Sequence, residues 1–245
     1  MREQMVEQTV RLLLIGVFVL FLSWAFVEGA FQYMLDNTTV ILHLALQHLQ
    51  LVGVSALLAI IFAVPVGIVV TRPRFKFLEW FAVNFANIGQ TVPSLAILAL
   101  VMSYLGLGFY TAVFALWIAS LLPILRNTIT GIKQVDQAVL DAGKGMGMTA
   151  RQILWKLELP NAAYAIFAGI RTSIVINVGT AALAFLIGGG GLGDLIFTGI
   201  ALHNTGIMLA GALPVTFLAL TLDYVLGKLE TVMISKGLQR TTDAV

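Results

Sequence analysis

From Leu49 to Val70 no charged side chain interrupts a run rich in leucine, isoleucine, valine and alanine. Roughly 20 such residues are what a helix needs to cross the hydrocarbon core of a bilayer. Five further stretches share the pattern: Leu12 to Val27, Phe81 to Leu105, Phe109 to Leu125, Ala162 to Ile187 and Ile207 to Leu226, broken by charge only at Arg171 and Asp223. Hydrophobic residues make up 59% of the chain, well above the apolar share of an average soluble domain, so lipid must cover what a water-soluble core of this length could not hide. The stretches are continuous and lack the ten-residue alternation of a membrane barrel. The expected fold is all-α, a polytopic membrane helical bundle of about six transmembrane helices. Pro65, Pro93, Pro123 and Pro214 lie inside these stretches; each removes a backbone donor, so several helices are expected to bend.

The 14 Lys and Arg fall in five places: Arg2 and Arg11; Arg72, Arg74 and Lys76; Arg126 to Lys156; Arg171; and Lys228 to Arg240. With six spans these clusters share one side of the membrane, leaving Glu28, Asp36 and Asp194 as the charges of the other. The excess of Lys and Arg makes the first side cytoplasmic, which predicts a plasma (inner) membrane protein with both termini inside. The basic balance thus orients a membrane protein in lipid and gives no sign of a nucleic-acid partner. Arg11 precedes an apolar run as in a secretory signal, yet no small-residue cleavage site follows "LSWAFVEGAF", so the first stretch is expected to remain as a span.

Two spans carry polar residues. In the third, Asn84, Asn87, Gln90 and Thr91 form a stripe ahead of Pro93 and Ser94. This segment reads either as one kinked span or as an interfacial helix from 77 to 88 followed by a short crossing. The fifth span carries Arg171, Asn177 and Thr180. Amides facing lipid would be unpaired, so such stripes face either a water-filled route or another helix as glue. Arg171 sits close enough to the boundary to snorkel, as an anchor or a partner for a carbonyl. Gly188, Gly189, Gly190 and Gly191 follow on the other side, where positive φ suits a tight reversal or a hinge.

Several chemistries are excluded or unsupported. There is no cysteine, hence no disulfide or thiolate site. "GGGGLG" and "GMGMTA" match dinucleotide fingerprints by letter but lack the strand context that gives those glycines their use. No phosphate-loop motif occurs. His43 and His48 are five apart without a carboxylate between them, a poor spacing for a metal. No catalytic set is expected.

The segment from Arg126 to Asn161 reads differently. Val135, Val139, Ala142 and Met146 recur at helical spacing, as do Ile153, Leu154 and Leu157. Thr149 with Gln152 makes a capping box, Gly147 suits a helix end and Pro160 a second one. Two short amphipathic helices joined by an elbow result, with faces that need something to dock against, a protein or anionic lipid.

Asp141, Ala142 and Gly143, then Lys144, Gly145 and Met146, then Gly147, nine residues, Leu157, one residue, Leu159 and Pro160 resemble the EAA loop of ABC importer permeases. Asp stands for Glu, Gly for the second Ala and Leu for Ile. "GQTVPSLAILAL" at 89 to 100, "AGIRTSIVINVGTAALAFLIGGGGLGDLI" at 168 to 196 and "VTRPR" at 70 to 74 look like the osmoprotectant branch, for glycine betaine, choline and carnitine. The resemblance implies a type I importer permease: a peripheral helix over 1–35, then a permease core over 36–245 with its coupling loop at about 126–161. It further implies a separate ABC ATPase subunit that binds ATP and Mg, an extracytoplasmic substrate-binding protein, and a second permease copy, identical or homologous. No cofactor is expected in this chain. Asn84, Asn87, Gln90, Thr91, Pro93, Ser94, Asn177 and Thr180, with the glycine run, are the expected pathway or gate positions. An amino-acid permease with the same loop, or an ATP-independent channel or secondary transporter using Asp223, are the alternatives.

Overall fold

A computed structural model describes residues 2–233, and its regular elements are all helical. In chain order they are α1 (Arg2–Val27), α2 (Ala30–Asp36), α3 (Thr38–Val70), α4 (Lys76–Thr91), α5 (Ser94–Leu105), α6 (Phe109–Lys133), α7 (Gln137–Gly145), α8 (Ala150–Ile153), α9 (Leu159–Ala181), α10 (Gly193–Ala201) and α11 (Thr205–Met233). Five helical segments are long and apolar enough to cross a membrane: 6–27, α3, α6, the continuous run 150–187 and 205–232. Pro65, Pro123 and Pro214 sit inside α3, α6 and α11 without ending them.

The third expected span is divided. The helical ladder stops at Thr91 and resumes at Ser94, because Pro93 disfavours helical geometry in Val92 and suits the start of a helix itself. α5, at 12 residues, rises about 18 Å, short of a 30 Å hydrocarbon core. The break falls at 92 and 93, later than the interfacial-helix alternative placed it.

α3, α6 and α9 form the centre. Leu51, Val52, Leu116, Val178, Ala181 and Leu192 lie in one buried cluster, and Ala59, Ala63, Leu122 and Ile124 in a second. Small residues bring the backbones together. A Cβ on Gly67 of α3 would lie 2.7 Å from Thr128 Cγ2 of α6, and one on Gly131 of α6 would lie 2.7 Å from Ala165 Cβ of α9. By contrast α1 exposes its apolar side chains along most of its length, and Ala25 is its contact with Ala30 and Leu209.

Gly193 opens α10 against the carbonyl of Ala182, into which a Cβ would intrude, whereas Gly53 of α3 has open space around it. Gly193→Ala should therefore lower the thermal midpoint in detergent, the overpacking costing about 1–3 kcal/mol. Gly53→Ala should leave it unchanged or raise it slightly. Equal midpoints for the two variants would contradict the packing described.

Candidate functional site

At the basic end of the bundle the chain leaves α6 and makes an elbow. Asp136 caps α7 by accepting from the Ala138 N–H at 2.8 Å. α7 ends where Gly147 takes φ +75, a left-handed conformation that glycine adopts without steric cost. The Met148 N–H then reaches back to the Gly143 carbonyl at 3.1 Å. Thr149 and Gln152 form the reciprocal capping box that starts α8. The angle of the elbow is set by Gly143, which is buried, with Leu157, Met148 and Ile153 against it; a Cβ there would lie 2.6 Å from Leu157 Cδ1. The elbow also carries Met146 and Trp155, large apolar side chains that are 73% and 63% exposed. Lys144 donates to Asp141 at 2.8 Å and Gln137 donates to it at 3.0 Å. These bonds hold the Asp141 carboxyl below the usual carboxylate range.

Two expectations for this segment need correction. Pro160 does not end the second helix. The residues Leu154–Glu158 form a π turn, whose longer hydrogen-bond step absorbs the register change, and Pro160 enters at the first turn of α9, where its missing N–H is tolerated. The elbow thus runs without interruption into α9. Nor does the loop begin at Arg126: α6 continues to Lys133, because Thr128, Ile129, Gly131 and Ile132 are buried and extend its packed face. Arg126 belongs to the helix.

Ion pairs tie this end together. Arg72, just past α3, pairs with the buried Glu158 at 2.7 Å, and Lys133 of α6 pairs with Glu79 of α4. Within the bundle Arg171 of α9 makes two hydrogen bonds to Asp223 of α11, at 2.6 and 2.8 Å, and reaches Glu230 at 3.4 Å. Its partners are carboxylates and not the carbonyl expected, and the absent side chain of Gly227 makes room for its guanidinium.

Beside these contacts lies a cavity of about 600 Å³ whose wall includes Ser94, Ala119, Arg126, Asn127, Thr172 and Thr180. α5, α6 and α9 each contribute, and the break at Pro93 brings Ser94 to it. Of the expected pathway residues, Ser94 and Thr180 line this space. Asn177, 1% exposed, points the other way and donates to Ser55 Oγ of α3 at 2.8 Å. On α4, Asn84 and Thr91 bond back to the carbonyls of Trp80 and Ile88, Asn87 is exposed, and the Gln90 side chain lies outside the described residues. Pro93 is exposed at the break. Arg126, Asn127 and Thr172 were missed as lining residues; their signal was one helical face of α6 and of α9, hidden by ending α6 at Leu125.

At the opposite end Gly188, Gly190 and Gly191 all have positive φ. The Gly191 N–H donates to Gln47 Oε1 at 3.2 Å, and Gly189 packs against Ala112 and Ala184. The run is a reversal seated on α3 and α6.

Comparison with known proteins bears on what this arrangement is. Residues 63–234 match the family model described as binding-protein-dependent transport system inner membrane component. The chain belongs to that family. Among curated relatives, the glycine betaine/carnitine/choline transport system permease protein OpuCB of Bacillus subtilis (strain 168) is 48% identical over 193 residues, 79% of this permease and 88% of the relative. The choline transport system permease protein OpuBB of the same organism is 44% identical over 209 residues, 85% and 95% of the two chains. A solved structure of the MetNI methionine ABC transporter, in an inward-facing conformation, shares the fold with a TM-score of 0.74 at 20% identity, covering 82% of this permease and 99% of that chain. The permease is accordingly a multi-pass membrane protein of the ABC importer type.

The elbow's departures from the EAA pattern compensate one another: with Leu157 in place of isoleucine, its Cδ1 occupies the space that a second alanine would need at Gly143. The Arg72 to Glu158 pair, which ties the π turn to the end of α3, should show a coupling of about 1–2 kcal/mol. A double-mutant cycle of Arg72→Ala and Glu158→Gln, followed by thermal unfolding in detergent, measures it. Strict additivity would remove the pair from any role in holding the elbow.

Proposed function

We propose that this permease is the pathway-forming subunit of an ATP-driven importer for osmoprotectants, quaternary ammonium compounds such as glycine betaine, choline and carnitine. The observation that carries the coupling is the elbow's exposed Met146 and Trp155 on a capped support that continues as one helical run into the wall of the cavity. A separate ABC ATPase subunit binds ATP and Mg and docks on that surface. When it closes on nucleotide it displaces the elbow, and α9 carries the displacement to Thr172 and Thr180. The coupling surface comprises Asp141, Ala142, Gly143, Lys144, Gly145, Met146 and Gly147, with Leu157, Leu159 and Pro160 fixing it to α9.

The basic end faces the cytoplasm, both termini lie there, and the glycine reversal faces outward, where an extracytoplasmic binding protein delivers solute. A second permease copy roofs the cavity. Ser94 and Thr180, with Arg126, Asn127 and Thr172, line the route, while Asn177 sets the rotation of α9. The osmoprotectant class rests on the relatives' substrates. Against an ion-driven transporter stands Asp223, whose carboxylate is held by Arg171.

Met146→Asp should reduce ATP-driven uptake of radiolabelled glycine betaine in proteoliposomes at least tenfold, since a charge would have to be buried in the docked face. Gly147→Val, strained at φ +75, should do the same. Neither change should reduce the amount of permease inserted in the membrane. Uptake at the unmodified rate in both variants would sink the coupling assignment, and failure of the unmodified transporter to import any of the three solutes would sink the substrate class.

A further inference from the structure

Arginine inside a membrane helix is costly and ordinarily finds a partner. Arg171 has two carboxylates. Arg126 lies seven residues before the end of α6, about 10 Å along the helix from that end; its side chain is exposed, and among the described residues it makes no ion pair. Thr172 separates the two arginines: it lines the cavity with Arg126 and also the recess that holds Arg171, Asp223 and Glu230. The acidic residues are spent on one side of Thr172, and an uncompensated guanidinium is left on the other, in a space of small-molecule size.

The remaining wall is dipolar. Asn127 and Thr172 supply neutral hydrogen-bonding groups beside Arg126, and Ser94 starts α5, whose N-terminus adds positive partial charge. At the other side, Pro123 has no N–H to give the Ala119 carbonyl, and Ala119 lines the same cavity. The backbone positions of Ala119 and Arg126 are thus about 10 Å apart along α6.

We propose that Arg126 is the carboxylate anchor of a solute site in this cavity, so that among the solutes the pathway carries it holds zwitterions more tightly than cations with the same quaternary ammonium head. The anchor is a charge-assisted, two-pronged contact of the kind guanidinium makes with carboxylate, and the ammonium group lies toward Ala119. Glycine betaine and choline both carry a trimethylammonium group and differ in having a carboxylate or a hydroxyl, which makes them the diagnostic pair. The inference rests on the permease function proposed above, and binding can be read separately from import.

The chain has no cysteine, so Thr180→Cys or Ser94→Cys introduces a single reporter into the cavity wall. In the complete transporter, with its ATPase and binding protein, solubilised so that both faces meet solute, alkylation of that cysteine by N-ethylmaleimide is timed with and without millimolar glycine betaine or choline. Glycine betaine should slow it at least fivefold and choline less than twofold. Adding Arg126→Gln should abolish the protection, and Arg126→Lys should restore part of it. Equal protection by choline, no protection by glycine betaine, or protection that survives Arg126→Gln would each overturn the anchor. Failure of ATP-driven uptake of both solutes with protection intact would overturn the osmoprotectant reading and leave the anchor standing.

Discussion

Helix α9 is held in the bundle by polar bonds as much as by apolar fit. Ser173 donates to the Ser120 carbonyl of α6 at 3.0 Å, and Asn177 donates to Ser55 of α3. His48 Nε2 of α3 lies 2.9 Å from the Val178 carbonyl. Apolar side chains gain little by leaving lipid for each other, so packing and hydrogen bonds decide which face of a helix turns inward, each bond contributing about 0.6 kcal/mol. Three such bonds on one side of α9 fix its rotation. Thr172, Ile176 and Thr180 are thereby turned into the cavity, so the chemistry of that wall depends on contacts that do not touch it.

The same helix is continuous with the elbow. Had Pro160 broken it, the elbow would hang from a flexible joint. The π turn before the proline keeps the run intact, and the Arg72 to Glu158 pair fastens that turn to the end of α3. Glycine serves two ends in different ways: Gly147 reverses the chain at the elbow by its left-handed φ, while Gly143 contributes only the room that Leu157 fills.

How far the sequence could be read follows from how local each signal was. The membrane class, the helices and the elbow are written in runs and caps a few residues long, and Gly147 and the Thr149 with Gln152 box do what their chemistry suggests. Asn177 and Thr180 could not be told apart, since three residues on a helix can separate an inward from an outward position and the sorting was done by Ser55 on a distant helix. Arg126 was assigned to a loop because apolarity ends at Leu125, yet burial of Thr128 against α3 and of Gly131 against α9 carries the helix on. Asp223 and Glu230 are taken by Arg171, and among the described residues Arg126 makes no ion pair.

These contacts also divide the bundle into stiff and compliant parts. α6 and α9 approach closely at Gly131 and Gly169, where a Cβ would strike Ala165 or Asn127, so sliding one past the other would have to pass through interlocked side chains. Between α4 and α5 the backbone ladder is interrupted at Val92 and at Pro93, which is extended. Ser94, the next residue, lines the cavity. The cavity is therefore bounded by the closely packed pair α6 and α9 and by α5, which begins at the break.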